Sequence, residues 1–267
     1  MTRPRPTTAA TANPLLLSTA IEAVVRAGQL QIEKFGTGVR IEKKGAIDLV
    51  TEVDLEVERM FRALIESRFP DHDVLAEEMG GATRGASHRW VFDPLDGTTN
   101  FAHGVPIFCA SLALEIDGEA VVAAIYDPNR RELFTAEAGV GSWLNGQRLQ
   151  VSNNATVLES MLVTGFPYTV QQQADQFVKA FVQVLKHARA VRRLGSAAID
   201  IAWVAAGRMD GFWEAVLKPW DTRAAALILE EAGGRVTGMD GQRWDPYRGD
   251  IVATNGLIHD EVLRILG

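Results

Sequence analysis

Cys109–Asp127 reads CASLALEIDGEAVVAAIYD, two apolar runs on either side of Asp117-Gly118. An Asp-Gly pair between such runs predicts a tight β-hairpin, because both residues tolerate the positive φ of a two-residue turn. The pattern continues outward. The turn DPNRR leads into ELFTAE, and Asn145-Gly146 makes a further hairpin before Val151. An antiparallel sheet is therefore expected at the heart of the first half of the chain.

Helices are expected before it. Asn13-Pro14 supplies a cap and a first helical residue, and Leu17, Ile21, Val24, Gly28, Ile32 and Phe35 then follow one face until Gly36. A second amphipathic helix is expected from about Val53 to Phe69. Its opening, TEVD, has the form of a capping box with Asp54 in the first turn, and Pro70 closes it. After the sheet the chain alternates. SMLVTGF, AVRRL, DGFWEA, RVTGM and IVATN read as strands. Helices are expected over 171–187, SAAIDIAWVAAG, 221–232 and the last residues from Gly256. Such alternation implies an α/β unit with helices covering a sheet. No internal repeat or long linker is present, so the junction over Val151–Glu159 joins two subdomains, 14–152 (α+β) and 153–267 (α/β). Residues 1–13 are expected to be a disordered tail.

The 267 residues, 47% hydrophobic, suffice for a substantial core. With 27 basic against 34 acidic residues the net charge is −7, which disfavours direct nucleic-acid binding. Cys109 is the single cysteine, so a disulfide framework and a cysteine zinc site are excluded and a reducing, cytoplasmic home is expected. No apolar run reaches the roughly 18 residues of a membrane span, and the N-terminus lacks the apolar segment of a signal peptide.

Several phosphate chemistries can be set aside. There is no GxxxxGK[ST] loop, and GVGSWL at Gly139 has Leu144 where a dinucleotide fingerprint needs its third glycine. Cys109 has Glu115, not an arginine, six residues on, and nothing resembles GxSxG. What remains is acidic. Asp54 lies in LVTEVD, Glu77 and Glu78 in VLAEEMG, Asp93 and Asp96 in DPLDGTT, and Asp221 in KPWDTR. Each alone is compatible with a helix cap, a turn or a solvated surface. Together they are the oxygen donors that a hard cation such as Mg²⁺ prefers. Two unit charges about 4 Å apart interact by about 4 kcal/mol at an effective dielectric near 20, so a convergent set without cations is strongly unfavourable.

VLAEE, DPLDGTTNF and KPWDTRAAALILEEAGG, in this order and spacing, resemble the signatures of the inositol monophosphatase family, and LVTEVD and NGQRLQVS fit as well. The resemblance runs from about Leu15 to the end. It implies a layered αβαβα sandwich of the sugar-phosphatase type, with an antiparallel sheet in the N-terminal half and a second sheet with helices in the C-terminal half. It also implies lithium-sensitive, Mg²⁺-dependent hydrolysis of a small phosphate monoester, with two or three ions, by a homodimer. By the same resemblance Glu77, Asp93 and the Leu95 carbonyl would bind one metal ion. Asp93, Asp96 and Asp221 would bind a second, Glu77 would help a third, and Asp54 would reach a metal through water. Thr98 and Asp48 match the pair that orients and deprotonates the attacking water, and the Gly97 and Thr98 N–H groups would contact phosphate. Gly195, Ser196, Ala197 and Glu214 match the alcohol pocket. Glu214 suits the hydroxyls of a polyol, and it suits equally an amine such as that of histidinol phosphate.

Lys43-Lys44 resembles a mobile loop that brings a lysine, here Lys43, near the metals; a solvated basic pair is the alternative. Gly45-Ala46 stands where the eukaryotic enzymes are expected to have Ser-Pro. Lys218 either meets an anionic group or lies on the surface. His72, His88, His187 and His259 read as surface residues, and His103 is a candidate for the pocket wall. Histidinol-phosphatase, fructose-1,6-bisphosphatase, nucleotide 3′-phosphatase and a regulatory protein-binding role remain alternatives.

Overall fold

The structure, a computed structural model, describes residues 13–45, 47–81 and 85–267. The tail expected over 1–13 lies outside these except for Asn13, and so does Ala46.

The hairpin expected around Asp117-Gly118 forms between β5 and β6 of a seven-stranded sheet. Its strands are β3 (Asp73–Ala76), β4 (His88–Asp96), β5 (Cys109–Ile116), β6 (Glu119–Asp127), β7 (Glu132–Glu137), β8 (Gly141–Leu144) and β9 (Gln147–Arg148), in that spatial order. All neighbours are antiparallel except β3 and β4, which run parallel. A separate two-stranded ladder joins β1 (Ile41–Lys43) to β2 (Leu49–Thr51).

Two helices cover one face of the large sheet. They are α1 (Pro14–Lys34), with Asn13 accepting from the Leu15 N–H at 3.1 Å, and α2 (Glu52–Arg68), opened by the expected Thr51/Asp54 capping box. Leu112 and Leu114 of β5 and Trp90 and Phe92 of β4 point into this layer. Cys109 and Ala113 point the other way, onto α5 (Ala197–Ala205) and α6 (Pro219–Glu231). The strand reads as one continuous apolar run because both its faces are buried. Burying each of the larger side chains contributes on the order of 1.5–3 kcal/mol.

Beyond α5 and α6 lies a five-stranded sheet in the order β11-β10-β12-β14-β13. Its members are β10 (Met161–Thr164), β11 (Ala190–Arg192), β12 (Gly211–Glu214), β13 (Arg235–Thr237) and β14 (Ile251–Thr254). Its outer face carries α4 (Val170–His187) and α7 (His259–Leu266), which pack on Leu162, Trp213 and Val252. The result is the expected αβαβα sandwich. Helix α6 begins at Pro219, earlier than its expected start at Asp221, because a proline at the first helical position gives up no hydrogen bond.

The surface expectation needs correction for His259 and His72, while His187 is exposed as expected. His259 is fully buried, with Nδ1 2.9 Å from Thr254 Oγ1 and Nε2 2.9 Å from Thr237 Oγ1. His72 is half-buried, stacked between Phe69 and His88, and its Nδ1 accepts from Trp90 Nε1–H. Only tertiary packing decides these positions.

Burial and the nearby Arg235 hold the His259 imidazole down at about 4. It is neutral in the fold and titrates near 6.5 when unfolded, so its contribution is complete above that value and is lost as pH falls from 6.5 towards 4. Wild-type protein is expected to lose about 3 kcal/mol across that range that His259→Gln does not lose. Urea unfolding of both at pH 7 and pH 4 measures it; parallel losses would sink the assignment.

Candidate active site

The site forms where the large sheet, the α5–α6 layer and the small sheet meet. β4 carries Asp93 and Asp96 across an irregularity in its ladder: Asp93 stands opposite Ser111 and Asp96 opposite Cys109, so β4 holds one residue more than β5 there. Pro94 cannot donate to a ladder, which favours such a bulge. Gln31 Nε2 donates to the Pro94 carbonyl at 2.7 Å, and the Leu95 N–H donates to Asp93 Oδ1 at 2.9 Å. The bulge lets Asp93 and Asp96 face the same cluster despite odd spacing on a strand.

Each other acid is fixed by its own element. Asp96 Oδ2 accepts from the Ser196 hydroxyl and from the Ala198 N–H, both at 2.7 Å, at the start of α5. Asp221, in the first turn of α6, accepts from the Lys218 N–H through Oδ2 at 2.7 Å. Asp54 Oδ2 closes the capping box on the Thr51 N–H at 2.7 Å. Glu77 and Glu78 follow β3, and buried Glu58 of α2 holds their loop by accepting from the Glu78 and Met79 N–H groups at 2.8 and 3.0 Å.

The electrostatics join these residues into one cluster. Burial first, then the charges of Glu77, Asp96 and Asp221, push the Asp93 carboxyl well up. Burial, Glu77 and Asp96 do the same to Asp221. Asp96 and Asp54 are each raised to about 6, chiefly by burial. Asp93 and Asp221 each show one carboxylate oxygen bonded to an internal donor, and Asp96 is held by the Ser196 hydroxyl and by N–H groups at the start of α5. Such a set of oriented, mutually repelling oxygens suits a hard divalent cation. Among the described residues, no three acidic, histidine or cysteine side chains yet stand at the spacing that encloses an ion.

Two readings change in detail. The Thr98 hydroxyl lies 2.9 Å from the Leu95 carbonyl and 3.2 Å from Asp54 Oδ1. Asp48 is half-buried across the β1–β2 hairpin; Glu77 is raised first by burial, with Lys44 opposing and Asp48 adding. The lysine at the acids is Lys44, with Nζ 2.8 Å from Glu77 Oε1, whereas Lys43 is exposed on β1. Ser196, expected at the alcohol pocket with Gly195 and Ala197, donates through its side chain to Asp96. His103 and Lys218 are exposed.

On the other side of Asp96, Glu214 ends β12 and is raised to about 8 by burial, with Arg193 opposing and Asp96 adding. A Cβ at Gly165 would land on the Glu214 carboxylate, so only glycine leaves that room. Gly165, Arg193, Glu58 and the Tyr168 ring were not legible in the sequence. Tyr168 is raised by burial and by Asp48 and Glu77, and it hydrogen-bonds Thr99. Each of these contacts joins residues far apart in the chain, and no local pattern announces it.

The profile of the inositol monophosphatase family matches residues 14–266. An inositol-1-monophosphatase of Synechocystis sp. is 43% identical over 252 residues, which are 94% of this chain and 88% of that protein. A Pseudomonas aeruginosa protein named Nus factor SuhB is 41% identical over 248 residues, 90% of this chain and 91% of that one. The solved structure of inositol monophosphatase from Anabaena (Nostoc) sp. superposes with a TM-score of 0.86 at 40% identity, covering 94% of this chain and 95% of that chain.

Proposed function

The chain belongs to the inositol monophosphatase family, a family of phosphomonoesterases, and on that premise we propose that it hydrolyses myo-inositol monophosphate to inositol and phosphate with magnesium. The observation that carries the reading is the cluster of Glu77, Asp93, Asp96 and Asp221, Asp93 buried and the others half-buried, whose charges act on one another. Glu77, Asp93, the Leu95 carbonyl, Asp96 and Asp221 would hold two or three Mg²⁺ ions, with Asp54 behind them. Bound there, the ions would supply Lewis-acid stabilisation of the phosphoryl oxygens and a more acidic water.

The chain's own groups do the rest. The Thr98 hydroxyl commits its proton to the Leu95 carbonyl or to Asp54, so towards an attacking water it can only accept, which fixes the water's orientation. Asp48 is the carboxylate that takes the proton. The Gly97 and Thr98 N–H groups bind phosphate oxygens. Glu214, at about 8, carries a proton at neutral pH and can both donate to and accept from vicinal hydroxyls. The nearby Arg193 charge favours a neutral polyol over the amine of histidinol phosphate.

Phosphate release from inositol 1-phosphate is expected to fall more than about 100-fold in EDTA and to return with Mg²⁺. In a panel with histidinol phosphate, fructose 1,6-bisphosphate and a nucleoside 3′-phosphate, kcat/KM is expected to be highest for the inositol ester. Release that is indifferent to Mg²⁺ would sink the metal reading; a higher kcat/KM for another ester would reassign the substrate. We further propose a cytoplasmic homodimer, in keeping with the lone, buried Cys109 and the family resemblance. Among the described residues no helix is long and apolar enough to cross a membrane. Likeness to the protein named Nus factor SuhB favours a second reading, a regulatory protein-binding role beside hydrolysis.

A further inference from the structure

Lys44 Nζ bonds both members of the acidic pair that follows β3. It lies 2.8 Å from Glu77 Oε1 and also donates to Glu78 Oε1. The contact is partly sheltered, with the Glu78 side chain 5% exposed, that of Glu77 21% and that of Lys44 25%. Burial works against the ammonium, yet Glu77 and Glu78 outweigh it and raise it overall. Among the described residues, neither glutamate side chain has another cationic partner.

The backbone fixes this arrangement. Ile41↔Thr51 and Lys43↔Leu49 register the β1–β2 ladder, and the Lys44 N–H donates to the Asp48 carbonyl at 3.0 Å. One hairpin therefore carries both the ammonium on Glu77 and the proton-accepting Asp48. An ammonium can only donate, so it occupies a lone-pair site on Glu77 Oε1 that a hard cation would compete for. Its charge also repels such a cation.

We propose that Lys44 is a built-in counter-ion of the Glu77–Glu78 pair, which a divalent cation must displace before it binds through Glu77. Lys44 thereby sets the cation affinity at this end of the cluster. The inference rests on the magnesium reading above. It differs from a mere surface ion pair, because both acids are at least half-buried, one ammonium bonds both, and one acid is a cation ligand on that reading.

Calorimetric titration of the full chain with Mg²⁺ at pH 8 tests it. Lys44→Met is expected to bind Mg²⁺ at this position about tenfold more tightly than wild type, since both the competing donor and a repelling charge are gone. Lys44→Arg, which keeps the ion pair, is expected to stay near the wild-type affinity. Lys43→Met, the same charge change at an exposed position, is expected to shift affinity less than about twofold. The rise in melting temperature on adding Mg²⁺ is expected to be larger in Lys44→Met than in wild type, because a cation stabilises in proportion to its affinity. Unchanged or weaker binding by Lys44→Met, with wild type binding normally, overturns the role of Lys44 and leaves the magnesium reading standing. Failure of wild type and every variant to bind Mg²⁺ overturns both.

Discussion

Asp93→Asn is expected to lower kcat/KM for phosphate release by about 10³-fold or more while leaving the fold intact. Asp93 stands at the bulge of β4, fully enclosed, where Glu77, Asp96 and Asp221 all raise its carboxyl. Asparagine has nearly the same shape, and its Oδ1 can still accept from the Leu95 N–H, so the bulge keeps its internal bond. What is lost is one negative charge and one anionic oxygen, which neutral amides replace poorly as ligands of a hard cation. The same substitution relieves repulsion. In EDTA the variant is therefore expected to melt at a higher temperature than wild type, and in Mg²⁺ at a lower one. This crossing separates a cation ligand from a structural aspartate, whose loss would destabilise under both conditions. Near-wild-type hydrolysis by Asp93→Asn would remove the central residue of the mechanism. The variant also divides the two functional readings, because a protein-binding role would survive the loss of hydrolysis.

Gly97→Ala is expected to destabilise the fold by about 2–4 kcal/mol and to take most of the activity with it. Gly97 has φ +97° as the residue that turns β4 into α3 (Thr98–Ala102), and that conformation costs any other L-residue about 1–2 kcal/mol. An added Cβ would also stand 2.8 Å from the Ile107 carbonyl oxygen and 3.3 Å from Phe108 Cα. Both are backbone atoms of the segment leading into β5, so neither can rotate away. Relief must come from moving the turn, and the turn carries Thr98 and the phosphate-facing N–H groups. Gly139→Ala is the control: its φ is +75°, but nothing lies within 4 Å, so only the conformational cost remains. Urea midpoints for the two variants, with phosphate release measured alongside, check the argument. Equal destabilisation at both positions would show that the Ile107 carbonyl yields and that the close approach has no energetic weight.

The acids were legible because their signals are local. Thr51 and Asp54 form a capping box within four residues, and DPLDG combines turn residues with two carboxylates. Lys44 was not separable from Lys43 in the same way. The two differ by one place on a hairpin, and the register of β1 on β2 decides which one reaches Glu77. The contact of Thr98 with Asp54 was not legible for a related reason: α2 brings its capping carboxylate against the start of α3. Glu58 looked like any acid on an amphipathic helix, yet it anchors the backbone of Glu78 and Met79 from 20 and 21 residues away. His259 offered no pattern at all, since its two threonine partners come from different strands of the small sheet.

By itself the sequence determined the hairpins, the capping box of α2 and the positions of the acidic residues, because turn geometry, capping and residue chemistry act across a few adjacent residues. Only the tertiary structure decided which acids act on one another's charge, which lysine pairs with them and which histidine is hidden. Those outcomes depend on the register and packing of elements tens of residues apart, where a shift of one position exchanges one side chain for its neighbour.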